Sequence, residues 1–154
     1  MNNNPECAVK LFKEGYNCSQ SVIGAYYKEL GMDFETAIKL TSSFGGGMGR
    51  LREVCGAVSS MFMIAGLKYG YIDPKDRSLK QKHYELIQML SRCFIERNGS
   101  IICRELLGLD INHDIPIPEE RTKEYYKKRP CLEIVKSTSE IIDEVLKIKE
   151  IDSC

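Results

Sequence analysis

Apolar residues recur along most of the chain at spacings of three and four, the period of an amphipathic helix. Stripes of this kind occupy about residues 5–13, 17–30, 33–40, 76–97 and 130–148. The segment 54–69 differs because it is apolar on nearly every side, which is typical of a helix enclosed by others. Few segments alternate with the period of a strand. The pattern predicts an all-α, single-domain bundle of about six to seven helices around an apolar central helix at about 54–69.

Local signals set the predicted helix boundaries. Asn17 stands where an N-cap residue is expected, and Gly31 is placed to end the helix that Asn17 begins. Ser100 would cap a short helix after it, and Pro130 favours the first position of the last helix. The prolines within residues 110–118 exclude regular helix there, so this segment is predicted to be a loop.

Charge and composition narrow the function classes. The 154 residues include 22 basic and 22 acidic ones, and because nucleic-acid binding usually shows as a basic excess, no nucleic acid partner is expected. The N-terminus lacks the apolar run of a signal peptide, and the most apolar stretch, 57–67, is too short to span a bilayer. We therefore expect a cytoplasmic protein without a membrane partner. In that reducing compartment the seven cysteines would be thiols, metal ligands or redox groups rather than a disulfide framework.

Four cysteines share one local setting, the predicted opening turn of a helix: Cys18, Cys55, Cys103 and Cys131. Free backbone N–H groups and the positive end of the helix dipole favour an anion there, so we expect lowered thiol pKa values. A thiolate is both a nucleophile and a metal ligand. No C-x-x-C pair occurs and tens of residues separate the four, so any joint site must be assembled by tertiary folding. Cys7 and Cys93 lie on apolar helix faces and are expected in the core.

A glycine-rich segment, Gly45, Gly46, Gly47 and Gly49, leads through Arg50 and Arg52 to Cys55. The phosphate-binding pattern G-x-x-x-x-G-K-[ST] is absent, and Arg50 stands where the third glycine of G-x-G-x-x-G should be, so nucleotide binding is not predicted. The glycines instead indicate a tight passage in which backbones approach closely. Arg50 and Arg52 would stabilise an anionic iron–thiolate cluster, which makes these glycines and arginines the candidate cofactor-binding residues.

Taken together, the motifs resemble the C_GCAxxG_C_C family of redox-active proteins over about residues 14–145. The resemblance is carried by Tyr-Asn-Cys-Ser-Gln-Ser-Val at Cys18, Phe-Gly-Gly-Gly-Met-Gly-Arg at 44–50, Cys-Gly-Ala at Cys55, Leu-Lys-Tyr-Gly at 67–70, Cys-Arg-Glu-Leu-Leu-Gly at Cys103, and Cys131. It implies that the same four cysteines are functional and that the protein is redox-active, with an iron–sulfur cluster or a similar prosthetic group. Ser60 replaces the glycine of the family motif C-G-A-x-x-G. We expect its hydroxyl to bond back to its own helix and leave the fold intact.

Three functional hypotheses follow. In the leading one, a small oxidoreductase or electron-transfer protein uses the four cysteines to ligate an iron–sulfur cluster, or cycles them between thiol and disulfide with an unidentified redox partner. In the disulfide version Cys55 is the expected nucleophile, because Arg50, Arg52 and a helix start would lower its pKa, and any of the other three could resolve it. The second is a non-catalytic sensor holding zinc with the same sulfurs. The third is a helical scaffold with inert cysteines. The apolar central helix also suits a homodimer.

Overall fold

Helices form nearly all the regular structure of the protein, which a computed structural model describes over residues 3–147. They are α1 (Asn4–Lys13), α2 (Cys18–Tyr26), α3 (Phe34–Thr41), α4 (Gly45–Met48), α5 (Gly56–Tyr69), α6 (Arg77–Asn98), α7 (Cys103–Leu106), α8 (Lys123–Lys128) and α9 (Cys131–Leu146). Six of these have eight or more residues, and no β-strand occurs within residues 3–147, so the predicted all-α class is confirmed. Ile148, assigned to the last predicted helix, lies outside the described residues.

The helix starts follow the predicted caps only in part. The Asn17 side chain accepts a hydrogen bond from the Gln20 N–H at 2.8 Å, and the Gln20 side chain accepts one from the Asn17 N–H at 3.1 Å, which forms a capping box before α2. The prediction for Ser100 is wrong, because its hydroxyl accepts the Ile102 N–H at 3.0 Å and Ile102 takes the N-cap position of α7. Pro130 likewise takes the N-cap position of α9 rather than the first helical one.

The predicted helix over 17–30 ends earlier than expected. Helix α2 stops at Tyr26, and residues 27–31 form a turn in which the Gly31 N–H donates to the Lys28 carbonyl at 3.0 Å. The Met32 N–H then donates to the Tyr27 carbonyl at 2.9 Å, and Gly31 adopts a left-handed φ of +67°. Gly31 therefore closes the turn after the helix rather than the helix itself.

The core lies where α5 packs against α2, α6 and α9, while α1 packs against α2 and α9. Its largest fully buried side chains include Phe12, Tyr26, Met61, Phe94 and Ile141. Burial of each such side chain contributes roughly 1.5–3 kcal/mol. Helix α5 is enclosed over most of its length, as predicted, although Leu67 and Tyr69 at its end are 58% and 54% exposed. No helix within the described range is both long and apolar enough to cross a membrane.

Two extended segments join the starts of α5 and α7. The Cys55 N–H donates to the Ile101 carbonyl at 2.8 Å, and the Cys103 N–H donates to the Glu53 carbonyl at 2.6 Å. Between these bonds Val54 and Ile102 form an isolated antiparallel bridge. Because each segment runs directly into a helix, the bridge fixes Cys55 and Cys103 beside one another although 48 residues separate them in sequence.

Candidate functional site

One cavity of about 410 Å³ is lined by all four cysteines that the sequence singled out. Cys18, Cys103 and Cys131 are the first residues of α2, α7 and α9, and Cys55 stands immediately before α5. The prediction that each lies at the opening of a helix is therefore confirmed. All four are free thiols; Cys55 and Cys103 are buried, whereas Cys18 and Cys131 are half-buried. The fold thus brings sulfurs from four distant segments to a common space.

Cys18 and Cys55 form a hydrogen-bonded pair in which Cys18 carries the negative charge. The Cys55 thiol donates to the Cys18 sulfur, and this bond lowers the pKa of Cys18 to about 6 against the opposing effect of burial. The backbone N–H groups of Gly46, Ser19 and Gly56 donate to the same sulfur. The contact with Cys18 also raises the pKa of Cys55 well above its usual value, with burial and the Cys18 charge acting in the same direction. At neutral pH the pair is one thiolate and one thiol.

The predicted acidification of Cys55 by Arg50 and Arg52 is wrong, because both side chains are directed to Asp114. The Asp114 carboxylate accepts hydrogen bonds from Arg50 Nη2 at 2.9 Å and from Arg52 Nη2 at 3.0 Å. Arg52 Nε also donates to Asp114, at 3.3 Å, and the third nitrogen, Nη1, lies 3.6 Å from the Cys103 sulfur. Arg52 also holds the pKa of Asp114 below its usual value. The positive charge of these arginines therefore acts on Asp114 and Cys103.

A helix start does not acidify the other thiols, contrary to the prediction. Burial raises the pKa of Cys103, although the hydrogen bond and charge of Arg52 oppose it. Burial likewise raises the pKa of Cys131 to about 12, and the charges of Cys18 and Cys103 add to this effect. At both positions, removing the thiolate from water therefore raises the pKa more than the helix N-terminus lowers it. Only Cys18 has enough hydrogen-bond donors to stay ionised.

The glycine-rich segment permits close backbone approach, as predicted. Gly46 and Gly47 adopt φ of +69° and +68°, and a Cβ on Gly47 would lie 2.6 Å from the Cys103 Cβ. Arg50 and Arg52 themselves adopt φ of +67° and +58°, an uncommon conformation for residues with side chains. Five residues of this part of the chain line the cavity: Gly45, Gly46, Gly49, Arg50 and Arg52. Gly47 is not part of the cavity wall.

Four charged residues near the cysteines were not predicted as part of the site: Asp114, Glu119, Arg121 and Arg129. Asp114 is 62 residues from Arg52 in sequence, and no spacing or period links the two. Arg121 and Arg129 line the cavity, and both oppose the rise of the Cys131 pKa. The only feature of the sequence that indicated positive charge near Cys131 was the basic run over 123–129, which ends two residues before it.

Ser60 bonds to a neighbouring helix rather than to its own, which corrects the expectation for this position. The buried Ser60 hydroxyl donates to the Ser19 carbonyl on α2 at 2.7 Å. The Ser19 hydroxyl oxygen in turn lies 2.7 Å from the Ser60 hydroxyl oxygen. Gly56, one turn earlier on α5, brings the two helices this close, because a Cβ there would lie 3.1 Å from the Ser19 Cβ. Ser60 therefore fastens α5 to the residue that follows Cys18.

The remaining cysteines and histidines of the described range lie away from the cavity. Cys7 is 3% exposed in α1, and Cys93 is partly buried against the core in α6, so both pack as predicted. Cys7 is disulfide-bonded, however, which corrects the expectation that the cysteines would not form disulfides. Neither they nor His83 and His113 line the cavity. The reactive chemistry of this site therefore rests on its four cysteines and its charged wall.

The cysteines do not form the grouping that a metal requires. No set of three or more His, Cys, Asp or Glu side chains within residues 3–147 is arranged to hold a metal ion. A zinc or iron–sulfur site needs several sulfurs converging on one centre, at about 2.3 Å for zinc. As arranged here, the residues do not fit such a group, and no chemical step below runs through one. The cofactor role of the glycines and arginines stays a prediction.

Comparison with known proteins identifies a matching family. A family model described as "Putative redox-active protein (C_GCAxxG_C_C)" matches residues 16–145. This range includes the four cavity cysteines, the glycine-rich segment and every charged residue of the cavity wall. No curated protein and no solved structure matches the chain.

Proposed function

The chain belongs to the C_GCAxxG_C_C family of redox-active proteins, and we propose that it transfers electrons as a dithiol–disulfide couple formed by Cys18 and Cys55. Cys18 is the attacking thiolate and Cys55 the resolving thiol. The observation that supports this proposal is the hydrogen bond from the Cys55 thiol to the Cys18 sulfur, made on the wall of the cavity. It reverses the roles expected from the sequence, because the negative charge rests on Cys18.

In the first step the Cys18 thiolate attacks one sulfur of a disulfide, R–S–S–R′, bound in the cavity. A bond forms between the two sulfurs, the substrate S–S bond breaks, and R′–S⁻ leaves with the electron pair and takes a proton from solvent. A thiol with a pKa of about 6 is mostly ionised at neutral pH. It also remains a good nucleophile, because the best attacking thiol has a pKa near the ambient pH.

In the second step Cys55 resolves the mixed disulfide. Once Cys18 is bonded to R–S, it no longer carries the charge that helped to raise the Cys55 pKa, so Cys55 can lose its proton. The Cys55 thiolate attacks the Cys18 sulfur, and R–S⁻ leaves with the electron pair and takes the proton that Cys55 released. The two cysteines are oxidised by two electrons in total, and one substrate disulfide becomes two thiols.

The test is to map the disulfide that forms. Anaerobically reduced protein is mixed with 2-hydroxyethyl disulfide, quenched in acid, alkylated and digested without reductant. We expect a linked peptide joining Cys18 and Cys55. A product that joins Cys103 to Cys131, or no linked peptide at all, would contradict the proposal.

A trapping variant separates the two roles. In Cys55→Ser the resolving sulfur is missing, so the mixed disulfide should accumulate on Cys18. In Cys18→Ser an adduct should form on Cys55 much more slowly than it forms on Cys18 in Cys55→Ser, because burial still raises the pKa of Cys55. Cys93→Ser serves as the matched control, since Cys93 is also a free thiol but lies outside the cavity. Adducts that form on Cys55 in Cys18→Ser as fast as they form on Cys18 in Cys55→Ser would overturn the assignment.

An iron–sulfur or zinc protein is the second candidate, because four cysteines line one cavity, although their sulfurs would have to move closer together before they could bind a metal. Iron, sulfide and zinc are measured on protein purified anaerobically. A brown protein with equal iron and sulfide would support the cluster, and a colourless protein with one zinc per chain would support a zinc module. Metal-free protein that oxidises as above supports the dithiol couple.

A further inference from the structure

The wall around the cysteines carries an excess of positive charge. The arginines that line the cavity are Arg50, Arg52, Arg121 and Arg129. Arg129 pairs with Glu119, which also lines the cavity, while Arg50 and Arg52 share Asp114. Four guanidinium groups against two carboxylates leave an excess of two positive charges, and a thiolate on Cys18 offsets only one of them. A cavity with this charge attracts anions.

Arg121 supplies a charge that no carboxylate within residues 3–147 neutralises. The arginine ion pairs found within residues 3–147 engage Arg50, Arg52, Arg97, Arg104 and Arg129 but not Arg121. Its guanidinium donates instead to two neutral acceptors, the carbonyls of Phe12 at 2.9 Å and Tyr16 at 3.0 Å. It also stacks over the rings of Phe12 and Tyr125, at 4.2 Å and 4.9 Å from their centroids. These contacts fix the group and leave N–H donors available to a ligand.

The rest of the wall suits a short aliphatic chain. Leu106, Leu107, Pro116 and Ile134 line the cavity, and its volume of about 410 Å³ is that of a small-molecule site. Building on the function proposed above, we infer that the substrate of Cys18 is a small organic disulfide bearing a carboxylate, which Arg121 binds while the apolar wall holds the aliphatic part. Arginine is the residue best shaped to bind a carboxylate, because its planar fork donates two parallel hydrogen bonds.

The inference is tested with three disulfides that share one skeleton and differ in charge. They are 3,3′-dithiodipropionate (anionic), 2-hydroxyethyl disulfide (neutral) and cystamine (cationic). The rate at which each oxidises the reduced protein is divided by its rate with free dithiothreitol, which removes intrinsic reactivity. We expect the anionic disulfide to exceed the neutral one by about tenfold, the lower range for a hydrogen bond to a charged group. The cationic disulfide should be slowest.

Variants locate the selectivity at Arg121. In Arg121→Gln the preference for the anionic disulfide should fall to about one, because the side chain keeps donors but loses its charge, and Arg121→Lys should restore part of it. Arg92→Gln is the control, since Arg92 is an exposed arginine on α6 outside the cavity wall. A preference that persists unchanged in folded Arg121→Gln would overturn the inference.

A measurement on the unmodified protein covers the case in which Arg121→Gln does not fold. Octanedioate, the all-carbon analogue of dithiodipropionate, should inhibit oxidation of Cys18 about tenfold more strongly than octane-1,8-diol. Equal inhibition by the two, or equal normalised rates for the three disulfides, would overturn the carboxylate assignment and leave the dithiol proposal standing. If none of the three disulfides oxidises Cys18, the proposed function itself fails.

Discussion

Cys18 keeps a low pKa because its sulfur accepts hydrogen bonds from the Cys55 thiol and from the backbone N–H groups of Gly46, Ser19 and Gly56. Cys131 also begins a helix, yet burial and two neighbouring sulfurs raise its pKa to about 12. Both residues occupy the same helical position and burial raises the pKa of both, but only Cys18 has hydrogen-bond donors that outweigh it. A buried thiolate needs direct hydrogen bonds, and a helix end alone does not supply enough of them.

The role of the Cys55 thiol is testable by changing its donor. In Cys55→Ala the largest cause of the lowered Cys18 pKa is lost, so the midpoint for alkylation of Cys18 should rise from about 6 toward the usual 9.0. Cys55→Ser keeps an O–H donor and should show a smaller rise. The measurement is the pH dependence of iodoacetamide labelling of the Cys18 peptide. Cys93→Ala should leave the midpoint unchanged, and an unchanged midpoint in Cys55→Ala would refute this account.

At the scale of elements, the approach of α5 to α2 depends on one glycine. Gly56 begins α5, and a Cβ there would lie 2.6 Å from the Cys18 sulfur and 2.7 Å from the Phe44 carbonyl oxygen. The second contact is with backbone, which cannot rotate away as a flexible side chain can. One turn later Ser60 donates across the same interface to Ser19. The start of α5 is therefore fitted closely against the residues that hold the thiolate.

Adding a methyl group at this interface should destabilise the protein. Gly56→Ala is expected to lower the free energy of unfolding by roughly 1–3 kcal/mol, the usual cost of overpacking. Gly66→Ala is the matched control on the same helix, because a Cβ there meets nothing within 4 Å. That change should stabilise by roughly 0.5–1 kcal/mol, since alanine favours helix over glycine. Urea denaturation in reductant measures both free energies of unfolding. Equal changes in the two variants would mean that close packing around residue 56 does not affect stability.

The elements that could be predicted from the sequence are those with local signals. A capping box of four residues, from Asn17 to Gln20, begins α2, and Asp76 and Gly99 are the N-cap and C-cap of α6. The partner of Arg52 could not be found this way, because Asp114 lies in an irregular loop 62 residues further on. The pKa of Cys55 was likewise beyond local pattern, since it depends on burial and on a sulfur from another helix. Local sequence signals therefore determine where these helices begin and end, whereas contacts between distant residues determine the ion pairs and thiol pKa values of the site.

Over the whole molecule, the starts of α2, α5 and α9 open onto one cavity with four arginines. Each helix N-terminus adds partial positive charge to that of the guanidinium groups. Against this charge the cavity holds one low-pKa thiol, Cys18. The hydrogen bond to Cys18 raises the pKa of Cys55, and burial raises the pKa values of Cys103 and Cys131. The arrangement favours an anionic reactant, and it also ties the stability of the folded chain to the ionisation of a single sulfur.

That link predicts how stability changes with pH. The pKa of Cys18 is about 6 in the folded protein against 9.0 for an unperturbed cysteine, so between these values the unfolded chain binds a proton that the folded one does not. Stability from Cys18 therefore rises with pH through this window, by at most about 1.4 kcal/mol per pH unit, and is lost as pH falls through about 6. Above about pH 9 the sign reverses, because Cys55, Cys103 and Cys131 ionise in the unfolded chain while their raised pKa values keep them protonated in the fold.

The measurement compares urea denaturation of the reduced wild type and Cys18→Ser at about pH 6 and about pH 8. The excess free energy of unfolding of the wild type over the variant should grow by roughly 1–3 kcal/mol across this interval. Cys93→Ser should run parallel to the wild type, because it leaves Cys18 and its donors in place. Parallel curves for the wild type and Cys18→Ser would mean that Cys18 is not a thiolate in the folded protein, and the attack assigned to it would then lack its nucleophile.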